Sequence, residues 1–334
     1  MAKVPAISVV MPAYNVENYI EKAIDSVQKQ TFTDWELVIA NDCSTDSTLD
    51  IVKRYASEDS RIRFFTMPEQ SGNCYLPRKT AILNAKAELI SPLDADDWID
   101  PDYLEGLAER RASTGAVIAY PLMIEAGSEP RRVIVPTDES VIAGVHSGLS
   151  AMKLSLDGWK INCNGGLAPR RLWIEAFEKY ESGLTGAFRD EFMSRVMLFS
   201  AGKVAVARVG YHYRDNPTSI TRVNTRRLIQ FLHNDMRIVD FVSEVCPDDR
   251  EAQVLAQRQL FHGIFNAYRL LNRFSFSDAD KDYALELIAA AKSHVDWDFV
   301  RPYVSPRYYA ILRNRLIPTA PAVRLVDFYR KLKK

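Results

Sequence analysis

The sequence predicts an α/β fold: a mostly parallel β-sheet with helices on both faces, followed by an α-helical C-terminal region. Three observations carry this. Short apolar runs rich in β-branched residues alternate with segments of helical period over the first hundred residues. Polar residues cluster directly after those runs. From Thr225 onward the helical period is almost continuous. Alternating strands and helices bury a parallel sheet between two helical layers.

The elements follow in order. AISVVMP is an apolar run closed by Pro12 and reads as a buried strand. NVENYIEKAIDSVQKQT places Ile20, Ala23, Ile24 and Val27 on one helical face, with Asn15 or Asn18 as its cap. WELVIAND is the second strand. STDSTLDIVKRYA opens a helix on a Ser/Thr/Asp cluster. RIRFFTM is the third strand, Leu76–Ala87 a helix, and ELISPLDADD the fourth strand with its exit. PDYLEGLAERRAS is a helix with Pro101 early, where its missing N–H does no harm. Between 146 and 215 the pattern is mixed: a Gly165-Gly166 turn, a helix over FRDEFMSRVMLFSAGK, and a VAVARVGYHYR strand. Three long helical stretches follow. The expected organisation is an α/β region over 1–222, a helical region over 223–300 and a basic tail over 301–334.

Lysine plus arginine equal aspartate plus glutamate at 43 each, so the net charge is zero. That balance hides an asymmetry. Residues 301–334 hold nine basic residues and one acid, Asp327, for +8, so 1–300 carry −8. AVRLVDFYRKLKK has the spacing of a basic amphipathic helix, upstream of which Tyr303, Tyr308 and Tyr309 are mixed with arginines. Such a helix suits an anionic membrane surface, where each cation adds about 1 kcal/mol; it equally suits docking on the protein body with its charges solvated. The 47% hydrophobic content excludes general disorder, and the overall balance argues against a nucleic-acid binder. Four scattered cysteines form no CxxC pair, as expected of a chain in a reducing cytosol. No signal-peptide pattern and no apolar run of about 18 residues occurs.

In open parallel sheets, ligands bind outside the carboxyl ends of the strands. Pro12-Ala13-Tyr14-Asn15, Asn41-Asp42 and Asp94-Ala95-Asp96-Asp97 all follow strands, so three distant segments are expected to meet. Three carboxylates within four residues repel one another unless a cation is near. Mg²⁺ and Mn²⁺ take oxygen ligands, often one or two carboxylates with substrate phosphates. The same tripeptide also fits a solvated loop with Asp97 or Asp100 capping the next helix. Its place after a buried strand favours the metal.

Val9-Val10-Met11-Pro12-Ala13-Tyr14-Asn15, WELVIANDCSTDST, Arg78 and LISPLDADDWIDPDYLE together resemble the inverting glycosyltransferase family 2 over residues 5–220. The resemblance implies a GT-A fold, a nucleotide-sugar donor and a Mn²⁺ or Mg²⁺ cofactor. It implies that Pro12 and Tyr14 line a uridine pocket and that Asp42 accepts from the base. Arg78 would meet the diphosphate, Asp94 the ribose or sugar, and Asp96 the metal. Asp190, in Phe188-Arg189-Asp190-Glu191-Phe192, falls at the position of the catalytic base, with Glu191 as runner-up; both also suit the first turn of a helix. In Tyr211-His212-Tyr213-Arg214 and Ser219-Ile220-Thr221, Arg214 and Ser219 would approach the phosphates and His212 the metal. Trp159, Asn162 and Asn164 lie where an acceptor would bind, although a tryptophan serves a core as well. The chain departs from the family around Arg78: one extra residue follows Gly72, Lys79 stands for Asn, and Ala81 for Gly.

The resemblance thus implies transfer of a hexose or N-acetylhexosamine from a UDP-sugar to a hydroxyl, in bacterial-type surface polysaccharide or lipid-linked glycan synthesis. A peripheral location on the inner membrane face follows if the tail binds lipid. Two alternatives stand. A nucleotidyltransferase needs a Gly-rich basic loop after the first strand, which PAYNVENY lacks. A degenerate, non-catalytic membrane partner is compatible with the altered loop, but intact Asp42, Asp96 and Asp190 disfavour it.

Overall fold

A computed structural model describes residues 3–161, 165–181, 189–214, 216 and 226–313. The chain divides into two compact units, one of residues 1–183 and 193–216, the other of 184–192 and 217–334.

The first unit opens with four β/α repeats. The strands are β1 (Ile7–Ala13), β2 (Trp35–Asn41), β3 (Ile62–Thr66) and β4 (Leu89–Pro92). The helices between and after them are α1 (Ile20–Gln28), α2 (Thr48–Glu58), α3 (Tyr75–Asn84) and, beyond the short β5 (Trp98–Ile99), α4 (Tyr103–Thr114). The strands line up β3-β2-β1-β4, all parallel. Every residue of β1 and β2 is buried, as central strands covered on both faces require. Val9, Met11, Leu37 and Ile39 pack there with Ile20, Ile24 and Val27 of α1, Val52 of α2, and Leu104 and Leu107 of α4. The expected Asn15 or Asn18 cap of α1 is not what forms. The N-cap position is Tyr19, without a side-chain bond. Asn15 instead takes a left-handed φ of 49° and accepts from the Thr45 amide at 2.8 Å, tying the loop after β1 to the loop after β2.

The mixed region resolves into a second sheet. Its strands are β6 (Ile118–Glu125), β7 (Val133–Val135), β8 (Val145–Ser147) and β10 (Lys203–Tyr213), while β9 (Ala168–Pro169) adds an antiparallel edge to β4. β10 lies parallel to β6 and antiparallel to β5. The helices here are α5 (Glu139–Ala143), α6 (Gly148–Leu156), α7 (Arg170–Tyr180) and α8 (Arg189–Ser200), the last crossing from one unit into the other.

The second unit is helical, as the periodicity predicts. α9 (Phe231–Val245), α10 (Arg250–Arg273) and α11 (Asp278–His294) are followed by α12 (Trp297–Val300) and α13 (Pro306–Arg313). Leu232, Ile238, Phe241, Leu260, Phe261, Ile264 and Ile288 are nearly or fully buried. Asp249, Ser277 and Asp296 cap α10, α11 and α12 with side-chain bonds. The described part of the basic tail packs on this unit: Tyr308 stacks on Phe265 at 4.2 Å, and Tyr309 meets Trp297 edge-on at 5.8 Å. The amphipathic stretch at 320–334 lies outside the described residues. Among the described residues, no helix is long and apolar enough to cross a membrane.

Candidate active site

The parallel register places Ala13, Asn41 and Thr66 level at the carboxyl edge of the sheet. The main chain continues the ladder one step further, with Asp42 N–H donating to the Ala13 oxygen at 2.8 Å and Met67 N–H to the Asn41 oxygen at 2.8 Å. Pro12 is buried in β1, whereas Tyr14, just past its end, is 41% exposed. Asp42 is buried, and both its oxygens accept from Ser71, one from the amide at 2.8 Å and one from the hydroxyl at 2.9 Å. No periodic or motif signal marks Ser71, a loop serine 29 positions from Asp42.

β4 delivers the acidic segment to the same edge. Arg78, in the first turn of α3, donates to Asp94 at 2.7 Å, and this pair is largely sheltered from solvent. The altered loop therefore still brings Arg78 to the acids. Its unusual Lys79 pairs instead with Glu181 beyond the end of α7. Asp94 N–H donates to the Tyr211 hydroxyl at 3.1 Å. Asp97 is buried and accepts the Arg214 N–H at 2.7 Å; Asp96 accepts from the Asn216 amide at 2.9 Å, while its main-chain oxygen accepts from Arg214 Nε at 2.7 Å. The end of β10 thus clamps the acidic turn from its far side.

Burial, then the charge of Asp94, raises the Asp96 pKa above the ordinary carboxylate value. Burial, then Asp94 and Asp96, pushes Asp97 well up. These groups resist ionising together, and a cation beside Asp96 would relieve that strain. Carboxylate oxygens suit a hard divalent ion, so the residues fit the metal that the family implies. Among the described residues, no group of three or more His, Cys, Asp or Glu side chains could hold a metal. The rest of the shell of an ion at Asp96 would come from phosphates and water.

His212 belongs to a neighbouring cluster. Its Nε2 lies 2.7 Å from Asp100, and its ring stacks on Trp98 at 5.0 Å. Burial works to raise the Asp100 pKa, but hydrogen bonds and charge from His212 and Arg131 outweigh it, and the net shift is downward. Lys22 of α1 stands over the Trp98 ring, its pKa lowered by burial and then by the charge of Arg214.

Gly165 and Gly166 close the connection that carries Trp159. Both have positive φ, 67° and 82°. A Cβ on Gly165 would stand 2.6 Å from the Tyr103 hydroxyl and 2.8 Å from the Tyr211 ring, and Gly166 N–H donates to that Tyr103 hydroxyl at 2.9 Å. Gly165→Ala is therefore expected to lower stability by about 1–3 kcal/mol in urea melts. It is also expected to weaken ligand binding through Tyr211, the partner of Asp94. Trp159 is 37% exposed at a φ of 58°, with the buried Arg195 guanidinium 3.9 Å from its ring centroid. Asp190 and Glu191 occupy the first turn of α8, both half-buried, in the second unit. Asn162, Asn164 and Ser219 lie outside the described residues.

The profile of glycosyl transferase family 2 matches residues 8–163, the span that builds this carboxyl edge. Over residues 8–163 the chain is similar to glycosyl transferase family 2. Glycosyltransferase GlyA of Streptococcus pneumoniae is 36% identical over 113 residues, 34% of this chain and 16% of GlyA. The teichuronic acid biosynthesis glycosyltransferase TuaG of Bacillus subtilis, a putative assignment in its own description, is 36% identical over 127 residues, 37% of this chain and 50% of TuaG. The chain thus spans half or less of the length of these relatives. Residues 1–349 of Staphylococcus aureus TarS, solved with UDP-GlcNAc, superpose with a TM-score of 0.74 at 18% identity, covering 98% of this chain and 92% of that one. At that identity the likeness shows the fold, which is GT-A.

Proposed function

We propose that the chain transfers a hexose or N-acetylhexosamine from a UDP-sugar to an acceptor hydroxyl, with inversion, in the assembly of a surface polysaccharide or lipid-linked glycan. The observation that carries this is that Arg78 of α3 and Arg214 beyond β10 both bond to the Asp94–Asp96 turn after β4, while Asp42 and the exposed Tyr14 follow β2 and β1 at the carboxyl edge of that sheet. The family supports it. So do its relatives: TuaG is described by teichuronic acid biosynthesis and TarS by poly(ribitol-phosphate) β-N-acetylglucosaminyl transfer, and TarS has been solved with UDP and UDP-GlcNAc.

In this reading Pro12, Tyr14 and Asp42 receive the uridine, and Arg78 and Arg214 face the diphosphate. Asp94 orients the ribose or sugar, and Asp96 would hold Mn²⁺ or Mg²⁺, with His212 kept beside that turn by Asp100. The bound ion supplies positive charge to the departing diphosphate. The acceptor oxygen attacks the anomeric carbon while its proton passes to Asp190, the sugar–phosphate C–O bond breaks, and UDP leaves. Glu191 is the alternative base. Trp159 offers an aromatic face to an acceptor sugar, with Asn164 as a further contact. Residues 301–334 bring the protein to an anionic membrane surface.

Thermal melting with UDP and Mn²⁺ tests the donor half of this reading. UDP with Mn²⁺ is expected to raise Tm, UDP with EDTA much less. Asp96→Ala is expected to abolish the Mn²⁺-dependent part. A full shift by GDP-sugars in place of UDP-sugars, or Mn²⁺ dependence that survives Asp96→Ala, would overturn the assignment.

A further inference from the structure

Two cations share one indole ring at the edge of this site. The Lys22 ammonium stands 3.2 Å from the Trp98 ring centroid and the Arg214 guanidinium 4.8 Å from it, with the Tyr19 ring 4.9 Å from the same guanidinium. Arg214 Nε donates to a main-chain oxygen, so the guanidinium is not locked in an ion pair, although its charge acts on Asp96. The nearby ion pairs are made by Arg78, Arg131 and His212; among the described residues, neither Lys22 nor Arg214 forms one. A cation–π contact at an exposed edge contributes about 0.5–1 kcal/mol and neutralises nothing.

The ring that spaces the two cations is itself held in place. Trp98 pairs with His212 across the β5–β10 ladder, and the two rings stack with an interplanar angle of 6°. His212 is fixed by Asp100, whose other oxygen accepts Gly210 N–H at 2.8 Å. Lys22 comes from the first turns of α1 and Arg214 from the end of β10, so two elements far apart in sequence deliver like charges to one ring. Like charges repel, and such an arrangement is completed by an anion with more than one charged centre. Arg214 is bonded to the turn that carries Asp96, and the anion proposed for that turn is a nucleoside diphosphate.

We propose that Lys22 is a phosphate ligand which, with Arg214, makes the site select nucleoside diphosphates over monophosphates. This rests on the nucleotide-sugar reading above. Trp98 sets the spacing of the two cations, and His212 with Asp100 holds Trp98, so these three are positioning residues. The chemistry favours the leaving group over the donor. When the sugar–phosphate bond breaks, the terminal phosphate of UDP gains negative charge, and cations already in place bind it more strongly at that moment.

Titration calorimetry with UDP and UMP, each with Mn²⁺, tests this. Lys22 is exposed, so its variants are expected to melt as the native chain does. Lys22→Ala is expected to weaken UDP about tenfold and UMP less than about twofold, and Lys22→Arg to recover most of the loss. Equal losses for both nucleotides, or none, would overturn the role of Lys22 while leaving the nucleotide reading intact. Failure of the native chain to bind UDP at all would instead remove the nucleotide reading, and this inference with it.

Discussion

Asp190→Asn is expected to lower sugar transfer by a factor of about 10² to 10⁴ while leaving UDP affinity within about twofold of the native value. Asparagine keeps the size of the side chain and one accepting oxygen, but it takes no proton at neutral pH. The loss should therefore fall on the chemical step and not on binding. Asp190 sits in the first turn of α8, half-buried, with Glu191 beside it. Acids in that position are favoured by the helix dipole whether or not they act in catalysis, so occupancy of the turn alone does not decide the matter. Single-turnover rates with a saturating UDP-sugar, read beside UDP calorimetry, separate the two. Native rates in Asp190→Asn, with a large loss in Glu191→Gln, would move the base one residue along.

Glu36→Ala is expected to lower unfolding stability by about 3–5 kcal/mol, the range found when one partner of a buried ion pair is removed. Glu36 lies in the central strand β2 and is 4% exposed. One of its oxygens accepts from the Ser8 hydroxyl at 2.6 Å and the Lys86 amide at 2.6 Å, and the other from Arg63 Nε at 3.0 Å. Ser8 in turn accepts the Ala87 N–H at 3.0 Å. Alanine would leave three donors without their acceptor inside or beside the core. The network joins β1, β2 and β3 to the residues that lead into β4, so it also sets the strand that delivers the acidic turn. Urea melts measure the loss. A cost below about 1 kcal/mol would show that water replaces the carboxylate there.

Much of the first unit is legible in the sequence because central parallel strands are apolar throughout, as in AISVVMP and WELVIAND, and because their helices show one apolar stripe. The carboxyl edge of such a sheet follows from its topology, so the positions of Asp42 and Asp94 to Asp97 after β2 and β4 are legible in the sequence. Two things hid the rest. β10 pairs in parallel with β6 and antiparallel with β5 and β8, and no local pattern states a choice among distant partners. The α1 cap failed for a related reason: Asn15 bonds to Thr45, 30 residues away, in preference to its own helix.

The sequence by itself determined the four β/α repeats, the helical second unit, the family resemblance and the residue types of the candidate site. Periodicity and motif spacing are local, and these features need nothing more. Only the tertiary structure decided that Arg78 meets Asp94 despite its altered loop, that Ser71 holds Asp42, and that His212 supports Trp98 through Asp100. It also decided that Lys22 and Arg214 converge on that ring. Those contacts join residues from 16 to more than a hundred positions apart. Burial and topology select them once the sheets have formed, and a linear pattern carries no term for that selection.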